Sequence, residues 1–258
     1  MKVNVIYEGG GWILERFAKH LNKRLDYVVL QQPVAKHKIN YFIPYYFLEK
    51  GPWKSIGWFT HQEERPDLNQ KFKWAAKNAD YCISQSKKYE QLIKSWGVKN
   101  VSQIIPGVAL NKYKPKIKLG YVGRMYGSTD RKNPEMLKFA SSIPFVEVVA
   151  TNGSIPPEKL PEFYNSLDYV FVPSKIEGGP MCLYEGLACG KEIIAPSGVG
   201  VVDEYSRGII RYKNNDKVSL KEVLKVLYRK RLALRKQVES HTWDSYVVEH
   251  DKIFRRFM

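Results

Sequence analysis

Two carboxylates, Glu177 and Glu185, bracket a glycine turn with seven residues between them, in the run Glu177-Gly178-Gly179-Pro180-Met181 and onward. Gly178 and Gly179 form the turn, and Pro180 suits the first turn of a following helix. Bare N–H groups from Gly178 to Met181, with the positive end of a helix dipole behind them, can face an anion such as a phosphate. The spacing sets Glu177 before the helix and Glu185 at its second turn. A carboxylate in either place can accept two hydrogen bonds from the vicinal hydroxyls of a ribose or hexose. Phosphates and sugar hydroxyls are therefore what these residue types suit. An ordinary strand-to-helix turn with a solvated Glu177 fits the same residues equally well.

The neighbouring elements must hold this turn in place. Leu160 to Asn165 reads as a helix, and Asp168 to Val172 as a short apolar strand buried on both faces. Pro173-Ser174 ends that strand, the helix after the turn runs to Ala188, and Gly190 stops it. Glu192 to Ala195 then begins another strand. Strand, turn, helix and strand together make the unit of a parallel sheet.

The first half of the chain repeats this alternation. Lys2 to Tyr7 reads as a strand, Gly9-Gly10-Gly11 as a loop, and Trp12 to Leu25 as a helix with Ile13, Leu14, Phe17, Leu21 and Leu25 at helical spacing. The loop lacks the six-residue G-x-G-x-x-G pattern, so no dinucleotide is implied. Arg16, Lys19, His20, Lys23 and Arg24 lie opposite the apolar face. Such a helix can lie on anionic membrane, but a solvated helix packed on a sheet is the preferred reading. Asp26 to Leu30 is the second strand and Ser55 to Thr60 the third, with His61 at the C-terminal edge where open sheets bind ligands. Between them Tyr41, Phe42, Tyr45, Tyr46, Phe47 and Trp53 alternate with Lys36, Lys38, Lys50 and Lys54. Rings among lysines suit stacking on bases or sugars, with core packing as the alternative. Helix, strand, helix and strand follow at Leu68–Ala79, Tyr81–Ser84, Ser86–Trp96 and Val101–Ile105.

Pro106-Gly107 to Pro115 reads as a linker or hinge. Beyond it come strands at Lys118–Val122, Phe145–Ala150 and Gly208–Tyr212, and a helix at Asn133–Ala140. Leu220, Val223, Leu224, Val226, Leu227, Leu232 and Leu234 mark one long amphipathic helix. Thr242-Trp243 starts a last one.

Composition narrows the class. A chain of 258 residues allows one large or two small domains, and no apolar run is long enough for a transmembrane helix. Met1 to Tyr7 is too short and polar for a signal peptide, and Cys82, Cys182 and Cys189 lack metal spacing, which fits a reducing cytosol. The net charge is +16, of which residues up to Pro115 carry +10. That excess favours polyanionic surroundings, or serves as solubility charge.

Glu177 and Glu185, with Pro173-Ser174 and Leu187-Ala188-Cys189-Gly190-Lys191, resemble the nucleotide-sugar site of the GT-B glycosyltransferases, in particular the retaining family 4 type. Thr60-His61-Gln62-Glu63 resembles the strand-end histidine that such enzymes place beside the transferred sugar. Gly123-Arg124 and Lys132 resemble their phosphate-gripping pair, although this chain has Lys132-Asn133 where the family has Lys-Gly, and Arg131 stands as a neighbouring candidate. Asn152-Gly153 to Pro157 resembles the loop bordering the base, and Val199 to Tyr205 the short helix near the switch point.

The resemblance is collinear over about nine-tenths of the chain, and it implies two Rossmann-like doubly wound α/β domains facing a cleft. Their expected spans are 1–110, on the acceptor side, and 111–241, binding the nucleotide sugar. A terminal helix in 242–258 crosses back to the first domain. It implies catalytic roles for Glu177, His61, Arg124 and Lys132. Donor binding falls to Glu185, Gly178, Gly179, Pro180, Met181, Gly10, Gly11 and Gly123. The expected reaction moves a sugar from a nucleoside diphosphate, UDP- or GDP-linked, to an acceptor hydroxyl with retention. No metal is expected, since D-x-D is absent from the sequence. The basic charge points to an anionic acceptor: DNA, an anionic lipid or a phosphorylated metabolite. A DNA-modifying glycosyltransferase and a non-catalytic nucleic-acid or membrane-surface module are the alternatives. The expected location is cytoplasmic, at or near the inner membrane surface.

Overall fold

The computed structural model describes residues 2–30 and 38–258. The chain forms two compact units, Met1–Lys112 with Val238–Met258, and Tyr113–Gln237. In the first, β1 (Val3–Tyr7) leads to α1 (Ile13–Arg24), followed by β2 (Val28–Leu30), β3 (Ile39–Ile43) and β4 (Lys54–Phe59). Then come α2 (Pro66–Asn78), β5 (Tyr81–Ser84), α3 (Lys87–Ser95) and β6 (Val101–Gln103). All the strands are parallel, in the order β2-β1-β3-β4-β5-β6. A parallel sheet is covered on both faces, so its strands read as apolar runs. Val3, Val5, Tyr41, Ile56 and Trp58 fill one face, and Ile6, Phe42, Phe59 and Cys82 the other.

The ring-and-lysine segment contains a strand, β3, that the sequence reading passed over. Tyr41 and Phe42 are fully buried there, and Tyr45 nearly so. Tyr45 stacks on Phe59 at 5.5 Å between ring centroids and meets Phe72 edge-on at 4.8 Å. These rings are core and do not form a stacking platform. Each buries on the order of 150–250 Å² of surface, a gain that outweighs any fit to a ligand. Tyr46 alone among them is well exposed, with its hydroxyl donating to Glu8 at 2.9 Å. Lys36 lies outside the described residues.

The second unit runs β7 (Ile117–Tyr121), α4 (Pro134–Ser141), β8 (Val146–Ala150), α5 (Leu160–Asn165) and β9 (Tyr169–Phe171). It continues through α6 (Met181–Ala188), β10 (Glu192–Pro196), β11 (Ile209–Tyr212) and α7 (Lys217–Lys236). Its parallel sheet has the order β11-β10-β9-β7-β8. From β7 the chain first adds β8 on one side, then crosses to β9 on the other. This puts a topological switch point at the C-terminal ends of β7 and β9, where open sheets bind ligands. The loop after β7 and the turn after β9 meet there.

The chain then returns to the first unit as α8 (Trp243–Arg255). Thr242 and Ser245 close a capping box at its start, and Trp243, Tyr246, Val247, Ile253 and Phe254 join the core with Val3, Phe17 and Trp58. Gly107 makes this return close: a Cβ there would stand 2.4 Å from the backbone nitrogen of Trp243. Val108 N–H also donates to the His241 carbonyl at 2.8 Å.

His250, in the middle of α8, is fully buried. Its Nδ1 lies 2.7 Å from the Tyr246 carbonyl, which can only accept, so Nδ1 carries the proton. Nε2 then accepts from the Tyr41 hydroxyl at 2.9 Å. Burial pushes the imidazole down to about 3, with the Tyr246 carbonyl opposing. Below its ordinary value near 6.5, the unfolded chain takes up a proton that the folded one refuses until about 3. Stability therefore falls as pH drops through that window, by about 2 kcal/mol between pH 7 and pH 5. Urea titrations at the two pH values should show this loss. His250→Gln should remove most of it, and an unchanged difference would mean His250 is not the titrating group.

Candidate functional site

Glu177 sits in the turn between β9 and α6, with a side chain only 8% exposed. Arg131 NH1 donates to its Oε2 at 2.8 Å, Ser174 Oγ to its Oε1 at 3.0 Å, and Lys132 Nζ to the same Oε1. Burial works to raise the Glu177 carboxyl. Hydrogen bonds from Lys132 and Ser174, with the charges of Lys132 and Arg131, outweigh it and hold the group below its ordinary value. The result is an ionised carboxylate gripped by two cations.

Local chemistry explains how the cations arrive. The loop after β7 is stitched to the turn by Lys175 N–H donating to the Arg131 carbonyl at 2.8 Å, and by a Lys175–Asp130 ion pair. Asn133 then turns the chain into α4 with φ +54, and its side chain accepts from Met136 N–H at 3.2 Å. Asparagine enters this left-handed region more readily than other side chains. That accounts for Asn133 where the resembling pattern has glycine. It also supplies a side-chain acceptor at the N-cap, which glycine lacks.

The helix start beyond Glu177 is open. Pro180 caps α6 with no side-chain bond, and the N–H groups of Gly178, Gly179 and Met181 have no protein acceptor among the described residues. Gly178 and Gly179 are exposed, as is Met181. The back of the turn is held by the strap after β10. Val201 N–H donates to the Gly178 carbonyl at 3.0 Å, and Gly200, at φ +52, approaches so closely that a Cβ would lie 2.2 Å from the carbonyl oxygens of both Glu177 and Gly178. Cys182 is buried beside them, and burial pushes its thiol up to about 12, so it stays protonated.

Glu185 lies on α6 and is half-buried, and its Oε2 accepts from the Tyr164 hydroxyl of α5 at 2.6 Å. Arg124 is exposed, and no ion pair joins it to Glu177 among the described residues. Its side chain lies over Gly153, where a Cβ would be 2.7 Å from Nε. Gly123 turns with φ +154, its N–H directed at Thr151 Oγ1 at 3.4 Å.

In the first unit, Gly10 and Gly11 have φ of +106 and +81. The Gly11 N–H is already taken, donating to Glu15 Oε2 at 2.7 Å. His61 is exposed, with Nε2 3.0 Å from Glu63 Oε1. The structure thus brings Lys132, Glu177 and the start of α6 together in one unit, with Glu185 one turn further along the helix. Sequence reasoning named Ser174 only within Pro173-Ser174, as a strand end and a resemblance, and gave no role to Tyr164 or Gly200. Ser174 carried a local signal, three residues before Glu177, but the other two act across 21 and 23 residues of chain and carried none. Among the described residues no group of three or more His, Cys, Asp or Glu side chains is arranged to hold a metal ion. No helix of these residues is long and apolar enough to cross a membrane.

Among curated proteins, none matches this sequence. Solved structures similar to the chain include the sucrose-phosphate synthase from Thermosynechococcus elongatus, at 14% identity, TM-score 0.42, over 99% of both chains. Anabaena HepE in complex with UDP and glucose is similar at 11% identity and TM-score 0.44, over 99% of this chain and 100% of that one. A glycosyltransferase from Rickettsia africae is similar at 11% identity and TM-score 0.36, over 99% of this chain and 98% of that one. Likenesses at this level say nothing of activity. The sequence profile described as "Glycosyl transferases group 1" matches residues 83–240, more than half of the chain, including the turn, the cations and both carboxylates. The chain belongs to the glycosyl transferases group 1 family and is a glycosyltransferase.

Proposed function

We propose that the chain transfers a sugar, with retention, from a nucleoside-diphosphate sugar to an acceptor hydroxyl. The observation that carries this reading is the open start of α6 flanked by an ionised Glu177, two cations and, one turn on, Glu185. The N–H groups of Gly178 to Met181 and the side chain of Lys132, with Arg124 or Arg131, hold the diphosphate. As the glycosidic bond breaks, the leaving group gains negative charge, and fixed cations stabilise it most at that moment. No metal or cofactor is assigned to that task, which falls to the arginines and lysine. Glu185 takes the ribose hydroxyls. Glu177 orients the sugar and stabilises its oxocarbenium-like transition state, and Gly123 lets backbone approach the ligand. The acceptor attacks from the face the nucleotide leaves. The excess of basic residues supports an anionic acceptor, UDP or GDP is the favoured carrier, and the proposed place of work is the cytoplasm, at or near a membrane surface.

The test is thermal stability with a panel of UDP-, GDP-, ADP- and TDP-sugars. The matching donor, at a hundredfold excess over its Kd, should stabilise the protein by about 2.7 kcal/mol. Glu185→Ala should lose most of that gain, since ribose contacts are made in the ground state. A flat response to every donor would overturn the reading.

A further inference from the structure

The Tyr164 ring is 1% exposed, packed with Leu167, Val170, Cys182 and Leu183. Its hydroxyl emerges from this cluster 2.6 Å from Glu185 Oε2. Burial pushes that hydroxyl well above its ordinary range, and the bond to Glu185 pushes it further, so it remains a donor at any working pH. A glutamate on a helix surface has three rotatable bonds, and ordering them on ligand binding weakens affinity. Here the ordering is already done by a ring that cannot move without disturbing the core.

We infer that Tyr164 is a positioning residue for nucleotide recognition, one that presets Glu185 to tell ribose from deoxyribose. This rests on the reading of Glu185 as the ribose ligand. An ionised carboxylate offers about four lone-pair directions. Tyr164 occupies one on Oε2, leaving all of Oε1 and the remainder of Oε2 for a vicinal diol. The preset oxygens favour a sugar with both hydroxyls. A deoxyribose leaves one of those acceptors without its donor, in a place where water is partly excluded. Tyr164 touches no substrate in this scheme. It belongs to α5, whose place in the chain gives no hint of the contact.

The test is calorimetric binding of UDP, GDP and ADP, each beside its 2′-deoxy counterpart, to the full chain and to Tyr164→Phe and Glu185→Ala. Tyr164→Phe should weaken the preferred ribonucleotide about tenfold, from the freed glutamate rotamers, and shrink the ribo-to-deoxy ratio. With the donor sugar, KM should rise by a similar factor while kcat at saturation changes less than twofold, because ground and transition states share the ribose contact. A folded Tyr164→Phe with unchanged affinity and ratio would overturn the inference. Should Glu185→Ala also leave the ratio unchanged, the ribose role of Glu185 fails as well, which separates the two ideas. A second measurement needs no Tyr164 variant. Proton NMR of the unaltered chain should show a slowly exchanging, downfield tyrosine hydroxyl that Glu185→Ala abolishes, and its absence from the unaltered chain would equally overturn the inference.

Discussion

Replacing Glu177 by alanine is expected to lower turnover at least a hundredfold, while nucleoside-diphosphate binding holds or tightens. The magnitude is that of losing one preorganised charge at a developing charge in the transition state. The second half of the expectation comes from the ion pairs. The single carboxylate of Glu177 is shared between Lys132 and Arg131 and offsets one of their two positive charges. Without it both cations are left to the diphosphate. Lys132, whose side chain is only 17% exposed, then lacks an acceptor until ligand arrives, and the free protein should lose about 1–3 kcal/mol. Donor hydrolysis rates and calorimetric UDP or GDP binding, measured on one preparation, check both halves. Turnover and diphosphate affinity falling together would instead make Glu177 a brace for the turn, with no part in the chemistry.

Gly200→Ala should be nearly as damaging, though Gly200 offers no functional group. Its Cβ would lie 2.2 Å from two backbone carbonyl oxygens, neither of which can swing aside as a side chain does. The left-handed φ of +52 adds about 1–2 kcal/mol for any residue with a Cβ. Overpacking and strain together should destabilise the second unit by about 2–4 kcal/mol. Relief requires the Glu177–Gly178 turn to shift, and a displacement near 1 Å can cost about a hundredfold in rate. Gly198→Ala is the control. Gly198 shares a positive φ, +75, but has open space where its Cβ would go, so only the conformational cost applies. Equal turnover for the two variants would show that the strap after β10 does not position Glu177.

The alternation of strand and helix was readable in the sequence wherever apolar spacing and breakers coincide. Tyr81–Ser84 and Leu160–Asn165 have the bounds expected, and most other elements differ by a residue or two at their ends. β3 is hard to read from spacing because Asn40 interrupts the apolar residues of Ile39–Ile43 and lysines and further rings flank them. Glu177 and Glu185 stood out because a glycine turn and a proline mark their place. What surrounds them did not. Arg131 meets Glu177 across 46 residues and Tyr164 meets Glu185 across 21, and periodicity carries no information at such separations. Lys132-Asn133 looked like a departure from pattern until the left-handed backbone of Asn133 showed why asparagine serves there.

Membership of α8 in the first unit bears on how the chain is made. Residues 113–237 are contiguous and can close their own core as soon as they leave the ribosome. The first unit begins earlier but still lacks Trp243, Tyr246 and Phe254 at that point. During translation its sheet must wait, with Phe17 and Trp58 uncovered, until synthesis has passed Phe254. The half that is started first is finished last, and a nascent chain stalled before α8 would present to chaperones the apolar face that the finished protein hides.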